Sequence, residues 1–405
     1  MKSDVKVNLY CSFEELAVLQ EQWDDLAASV GSEIFLTYDW CRIWWKYYGR
    51  KRNLKVWVFH KGDELVGIVP LFLDNIWLGP VSIRALRIVG SDHTMAQFSL
   101  PVVADHMTDV IEKLADPLLK EKWDIMHIGP VAGLCGHYDK LKESLNRVFS
   151  GACRISCGEN QVQTYFAVAD TWGAQLAGLS RNARRNIKRK CKALKDALQD
   201  RHGTLTSEFA TIQNVDEVFR RFVDMHQKYW NSKGKLGHFG DWPDSFDFHK
   251  EMARKQLKYD RLRLMHIKWG QCNLAYEYAY KFGDRYFAFL NSRTDMEEVA
   301  AVSVGTTIFA ERIKKAVSEN VRYVDAMRAK YEYKLRLGGK LFPMRDIYVL
   351  QKRMLSRARV YVFRLFSKLL NFCYYKAWFM RIAPRLPLRR RPLWRIWIRS
   401  NAFCQ

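Results

Sequence analysis

The order of helical and extended patterns, repeated in two halves, constrains this chain more than any single motif. In the first half a helical pattern holding Trp40, Trp44 and Trp45 leads to an apolar run at 54–60, a Lys-Gly-Asp-Glu turn at 61–64 and a second run at 65–72. In the second half a helical pattern over 219–230 leads to strands at 262–268, 274–282 and 285–290, with a turn at 269–271. A helix over 304–318 and a strand at 321–324 follow. Strands paired by hairpins and then crossed by helices predict a mixed α/β sheet in each half. The shared order fits an internal duplication too diverged for simple identity. A chain of 405 residues also exceeds one compact core. The fold class expected is therefore α/β, with two tandem mixed α/β domains over 1–170 and 171–350 and a basic, aromatic-rich tail over 351–405.

The charge is uneven. From Gln351 onward there are 14 Lys and Arg and no acid, which leaves +9 of the net +23 for the preceding 350 residues. In this tail Leu355, Val362, Phe366, Leu369 and Cys373 fall within a narrow helical arc, with Arg353, Arg357, Arg364 and Lys368 opposite. Pro384, Pro387 and Pro392 stop any helix, and Trp394 and Trp397 follow. Such a basic amphipathic helix with aromatic anchors reads as an element for an anionic membrane surface. The competing reading is a helix docked on the protein's own core or on a partner. A second basic segment, between Ser180 and Lys195, carries eight cations and no acid. Ser180 can cap its start, and Ala183, Ile187, Cys191, Leu194 and Leu198 make one apolar stripe. Its polar faces are either a solvated surface or an anion-docking one.

Composition prunes the functions. With 48% hydrophobic and 14% aromatic residues the chain is globular, not disordered. No apolar run approaches the roughly 18 residues of a membrane span, and residues 1–10 are unlike a secretory leader. Nine cysteines without a CxxC pair, Cys153 and Cys157 having no second pair to join them, predict reduced thiols and no metal. The expected location is cytoplasmic, with peripheral attachment to the inner face of the plasma membrane through 351–405. There is no GxxxxGK[ST] loop, no GxGxxG after a strand and no HExxH. Ser303 faintly resembles a nucleophile elbow, but Ala301 stands where the first glycine belongs, which argues against a serine hydrolase. No helix-turn-helix or zinc pattern supports DNA binding.

Three places carry chemistry. The small-residue loop at 303–307 opens a helix and presents free N–H groups suited to a pyrophosphate, although Ser303 could serve only as a cap. Behind the strand at 321–324, Asp325, Arg328, Tyr333 and Lys334 come off a strand end, where a rigid scaffold aims side chains into a cleft. In the strand at 274–282, Tyr276, Tyr278 and Tyr280 share one face and Glu277 lies between Ala275 and Ala279 on the other. Buried there, Glu277 would have a raised pKa and could accept a proton near neutrality.

These residues match a family in order along the chain. Leu179-Ser180-Arg181-Asn182-Ala183-Arg184-Arg185-Asn186-Ile187, then His226 with Trp230, Lys233, Gly234 and Gly237, resemble segments of the GNAT superfamily of N-acyltransferases. The branch resembled is the CelD/BcsL-like (BioF-like) acyltransferases, related to the Fem-type transferases. Ser303 and Gly305 resemble that family's Ser-Pro-Gly helix start, and Asp325, Arg328, Tyr333, Lys334 and Arg336 its closing Asp-x2-Arg-x4-Tyr-Lys-x-Arg pattern. In the first half Val89-Gly90-Ser91-Asp92 and 123–128 are similar to strands of the family's first domain. Val304 replaces the usual proline, and Ala329 a common glycine. The likeness spans roughly 10–350 and leaves the tail unexplained.

The resemblance implies two tandem GNAT-like domains. The second would hold an acyl-CoA donor, acetyl-CoA or longer, and a small-molecule amine acceptor in a cleft. Glu277, Tyr333 and Asp325 would be catalytic, Ser303, Gly305, Thr306, Arg328 and Lys334 would bind the cofactor, and His226 and Trp230 the acceptor. The acceptor class implied is an amine of a sugar, amino acid or cell-envelope precursor, with exopolysaccharide biosynthesis as a context. Two other readings stand beside it: aminoacyl transfer from tRNA, as in Fem-type ligases, and a non-catalytic GNAT-fold scaffold at the membrane surface.

Overall fold

The computed structural model describes residues 4–404 apart from 94, 95, 133, 135, 301, 303 and 329, and gives the backbone alone for 160, 241, 298 and 300. Twelve strands are described: β1 (Val5–Tyr10), β2 (Asn53–Lys61), β3 (Glu64–Leu78), β4 (Val81–Ile88), β5 (Ile125–Val131), β6 (Cys153–Ala167), β7 (Leu205–Phe209), β8 (Leu262–Trp269), β9 (Cys272–Phe282), β10 (Arg285–Arg293), β11 (Tyr323–Arg328) and β12 (Lys340–Gln351). They serve two compact units, Met1–Gln161 with Pro343–Gln405, and Val162–Phe342. The expected fold class, two tandem mixed α/β domains and a C-terminal helical segment, is the one found. The divisions at 161 and 342 differ from those read at 170 and 350, and residues 351–405 belong to the first unit.

In the first unit the strand order is β1-β2-β3-β4-β5-β12. Only β4 and β5 pair in parallel among these. The hairpin read at 54–72 is β2–β3, turned by Gly62 at φ +59°. Trp40 and Trp44, one turn apart on the helix Tyr38–Tyr48, are both fully buried. Each contributes on the order of 2–3 kcal/mol of apolar burial. Residues 89–92, expected as a strand, form the turn after β4 instead. Gly90 takes φ +95°, and the Asp92 carboxylate is drawn inward onto Arg52 at 2.7 Å and Arg87 at 2.9 Å. Although burial opposes it, those two guanidiniums hold Asp92 far below the usual carboxylate range.

The C-terminal segment packs into this unit as a helix, Met354–Leu370, a wider helical stretch, Asn371–Ile382, and a short helix, Trp394–Ser400. Val360 and Phe363 join Ile76, Ile83, Ala85, Ile125 and Phe403 in one buried cluster. The expected arc at Leu355, Val362, Phe366, Leu369 and Cys373 lies mainly outside that buried face. Phe366 turns partly inward, while Leu355 and Leu369 stay 63% and 57% exposed. The wheel located an apolar face but could not tell that the sheet would select its neighbour.

In the second unit the order is β6-β11-β10-β9-β8-β7, with β10 and β11 parallel and the other pairs antiparallel. Helices cover both faces, so β9 is buried along most of its length. On one face Tyr278 packs edge-on against Phe219 of the helix Val215–Ser232. On the other lie Val304–Ser318 and the basic helix Arg181–Ala197. Ser180 caps the latter by accepting from the Ala183 N–H at 3.2 Å. Its expected stripe is the packed face, with Ile187 against Phe309 and Ile313, and Leu194 and Leu198 beside Val304 and Ile308.

Candidate active site

The strands β10 and β11 pair in parallel at Arg285↔Tyr323, Tyr286↔Val324 and Phe287↔Asp325, and among the described residues the pairing stops there. Both strands are bulged at that level. The β9–β10 register shifts between Ala288 and Leu290, and the β6–β11 register between Asp325 and Arg328. A bulge bends and overtwists its strand, so two bulges facing outward part the strands and leave backbone groups unladdered. The site residues gather around this parting. Asp325 and Arg328 thus lie within β11, not past a strand end as expected.

Asp325 fastens the bulge. Fully buried, its carboxylate accepts from Gln163 Nε2 at 2.5 Å and from the N–H of Met327 at 2.7 Å, a residue itself held at φ +58°. A left-handed backbone in a bulky residue costs of order 1–3 kcal/mol and persists only where the surroundings impose it. Lys334, on the helix Glu332–Arg336, was expected on phosphate. Here its ammonium donates to the Ala326 carbonyl at 2.7 Å and the Arg328 carbonyl at 3.4 Å, acceptors in the parted stretch of β11. Burial first, and then Arg312, lower its pKa to about 8 against the pull of Asp325.

Glu277 projects from β9 onto the face opposite Tyr278 and is 2% exposed. It makes an ion pair with Arg312 of the helix Val304–Ser318, but among the described residues neither carboxylate oxygen receives a well-directed hydrogen bond. Burial raises its pKa and Arg312 offsets only part of that rise. Tyr333 stacks on Tyr331 with ring centroids 5.8 Å apart. Although Tyr333 is 55% exposed, its pKa is also raised, by partial desolvation of the hydroxyl first, with Arg312 opposing and Tyr331 and Glu277 adding. Glu277, Arg312, Tyr333 and Lys334 therefore sense one another. Sequence reasoning missed Arg312 entirely, because a lone arginine in an amphipathic helix carries no signal of the buried acid it meets.

At the start of the helix Val304–Ser318, a Cβ added to Gly305 would find open space within 4 Å, while Thr306 is buried; Ser303 lies outside the described residues. His226 and Trp230 sit on the other face of the sheet. His226 Nδ1 donates to the Asn291 carbonyl at 3.0 Å and its Nε2 accepts from the His238 N–H at 3.4 Å, so both ring nitrogens are engaged. Asn291 is the register partner of Glu277, which puts the two faces one strand pair apart.

Residues 181–335 match the model of the acetyltransferase (GNAT) domain. Over that stretch the second unit is similar to a GNAT-type acyltransferase domain. The match begins with the basic helix and ends within the helix bearing Tyr333 and Lys334, so it encloses the whole site. Of solved structures, FemX superposes with a TM-score of 0.61 at 10% identity, covering 87% of this chain and 100% of that one. A conserved protein of unknown function from Bacteroides thetaiotaomicron superposes with a TM-score of 0.52 at 10% identity, covering 85% and 100%. These likenesses are of fold alone. No curated protein gives a significant sequence match.

Proposed function

We propose that the protein transfers an acyl group from acyl-CoA to the amine of a small-molecule acceptor. The observation that carries this reading is the parting of β10 and β11 beside the buried Glu277–Arg312 pair. An extended, amide-bearing arm such as that of CoA suits a gap lined by unladdered backbone. The open space over Gly305, at a helix N-terminus, suits its pyrophosphate. The amine nitrogen attacks the thioester carbonyl carbon and the carbon–sulfur bond breaks. Glu277, with its raised pKa, takes the proton the nitrogen sheds, and Tyr333 supplies one to the leaving sulfur. Asp325 and Lys334 act as positioning residues that hold β11 open. Acetyl-CoA or a longer acyl-CoA serves as donor, and the sugar, amino-acid or envelope-precursor amines of the CelD/BcsL-like branch are the acceptor class.

Calorimetry of acetyl-CoA and longer acyl-CoAs with the purified chain tests the donor, in moderate salt that suppresses loose polyanion attraction. Saturable binding that is lost in Gly305→Leu supports the reading. Absence of binding by the unaltered chain overturns it. Aminoacyl transfer from tRNA is the second reading, favoured by the largely exposed cations of the helix Arg181–Ala197. Tight RNA binding with a steep salt dependence would select it.

A further inference from the structure

The helix Met354–Leu370 is apolar on two faces, and the sheet of the first unit uses only one. Val360 and Phe363 are buried, whereas Leu365 is 51% exposed, Leu369 57% and, just beyond the helix, Phe372 64%. Among the described residues, 12 of the 19 exposed large hydrophobics lie between Met354 and Ile396. Folded proteins rarely leave so much apolar side chain together without a partner. The patch is also grooved. Leu78, Phe366, Leu369, Leu370, Trp378 and Leu393 line an open, almost wholly apolar cavity of about 490 Å³. Trp77, beside it on β3, is 65% exposed.

Charge identifies the occupant. The segment from Gln351 has 14 cations and no acid, and Lys368, Lys376, Arg381, Arg389 and Arg391 stay exposed. A second copy of the chain would set these cations against themselves, and a soluble protein partner gives no reason for their number. We propose that this face docks on the surface of an anionic lipid bilayer, its exposed apolar side chains entering the acyl boundary and its cations meeting the headgroups. The docking is peripheral, since no described helix is long and apolar enough to cross a membrane. It stands apart from the acyl-transfer reading, and either can fail alone.

The test uses the full chain, because the inner face of this segment is part of the first unit's core. Flotation is compared with vesicles of phosphatidylcholine mixed with phosphatidylglycerol and with phosphatidylcholine alone. The unaltered chain floats with the anionic vesicles only. Leu365→Glu/Phe372→Glu and, independently, Arg389→Gln/Arg391→Gln each weaken flotation by about tenfold or more while keeping the thermal melt of the unaltered chain. The proposal is overturned if the unaltered chain ignores anionic vesicles, floats equally with neutral ones, or floats as well with Leu365→Glu/Phe372→Glu in place. It is also overturned if the chain self-associates in solution and that double variant makes it monomeric.

Discussion

Arg399 of the last helix forks onto Asp74 of β3. Its Nε lies 3.2 Å from Oδ2, while its Nη2 contacts Oδ1 and donates to the Asn75 carbonyl at 3.1 Å. Asp74 is fully buried and also faces Arg52 at 3.3 Å, so the C-terminal segment closes an ionic network begun just before β2. Arg399→Ala leaves Asp74 with one partner and should cost about 1–2 kcal/mol. Asp74→Ala takes a partner from both Arg399 and Arg52, although Arg52 keeps Asp92, and should cost more, about 3–5 kcal/mol. Urea unfolding checks both, as a lower midpoint at unchanged slope.

Glu277→Gln keeps a neutral acceptor beside Arg312, so the fold holds while the base is lost. The transfer rate should fall by about 10²–10⁴ with acyl-CoA binding unchanged. In the unaltered enzyme the rate rises with pH through the raised pKa of Glu277, and the variant should lack that limb. A pH profile of single-turnover transfer decides it.

Gly305→Leu fills open space with a better helix former, so stability should hold or rise by up to about 1 kcal/mol. Acyl-CoA affinity should nonetheless fall by more than about tenfold. A thermal melt beside a binding isotherm separates the two effects.

Lys334 has its pKa lowered from 10.5 to about 8 in the folded state. Between those values the unfolded chain binds more protons than the folded one, so stability rises with pH across that window. Below about pH 8 the burial of its charge costs up to about 3 kcal/mol. Lys334→Met should flatten the slope, measured as urea midpoints at successive pH values.

His238 has its pKa lowered from 6.5 to about 3, by burial and then by His226. Its Nε2 lies 3.2 Å from that of His249, which is also depressed, by burial and by His238. The unfolded chain takes up protons here that the folded one refuses, so stability falls as pH drops below about 6.5. His238→Phe should blunt that acid lability in circular-dichroism titrations.

Much of the second unit was legible because its signals are local. The helix Val304–Ser318 and the stripe of Arg181–Ala197 follow from side chains three and four residues apart, which face one neighbour whatever the tertiary context. Alternation along β9 put Glu277 on the face away from the tyrosines, and there it lies. Other details were not legible. Lys334 and Arg328 look in sequence like phosphate ligands, yet the Lys334 ammonium serves carbonyls that exist as acceptors only because β11 bulges at Met327. His226 reads as a binding residue until the Asn291 carbonyl and the His238 N–H arrive from distant elements.

By itself, then, the sequence determined the α/β class, the helix and strand order, the acid-free basic tail and the burial-prone position of Glu277. All of these depend on spacing within single elements. Only the tertiary structure decided that Arg312 meets Glu277, that β10 and β11 part after Phe287 and Asp325, and that Val360 and Phe363, not Leu355 and Leu369, face the sheet. Those outcomes depend on the bulges, register and packing of segments far apart in the chain. One residue of register exchanges every face, and periodicity along a single element does not record it.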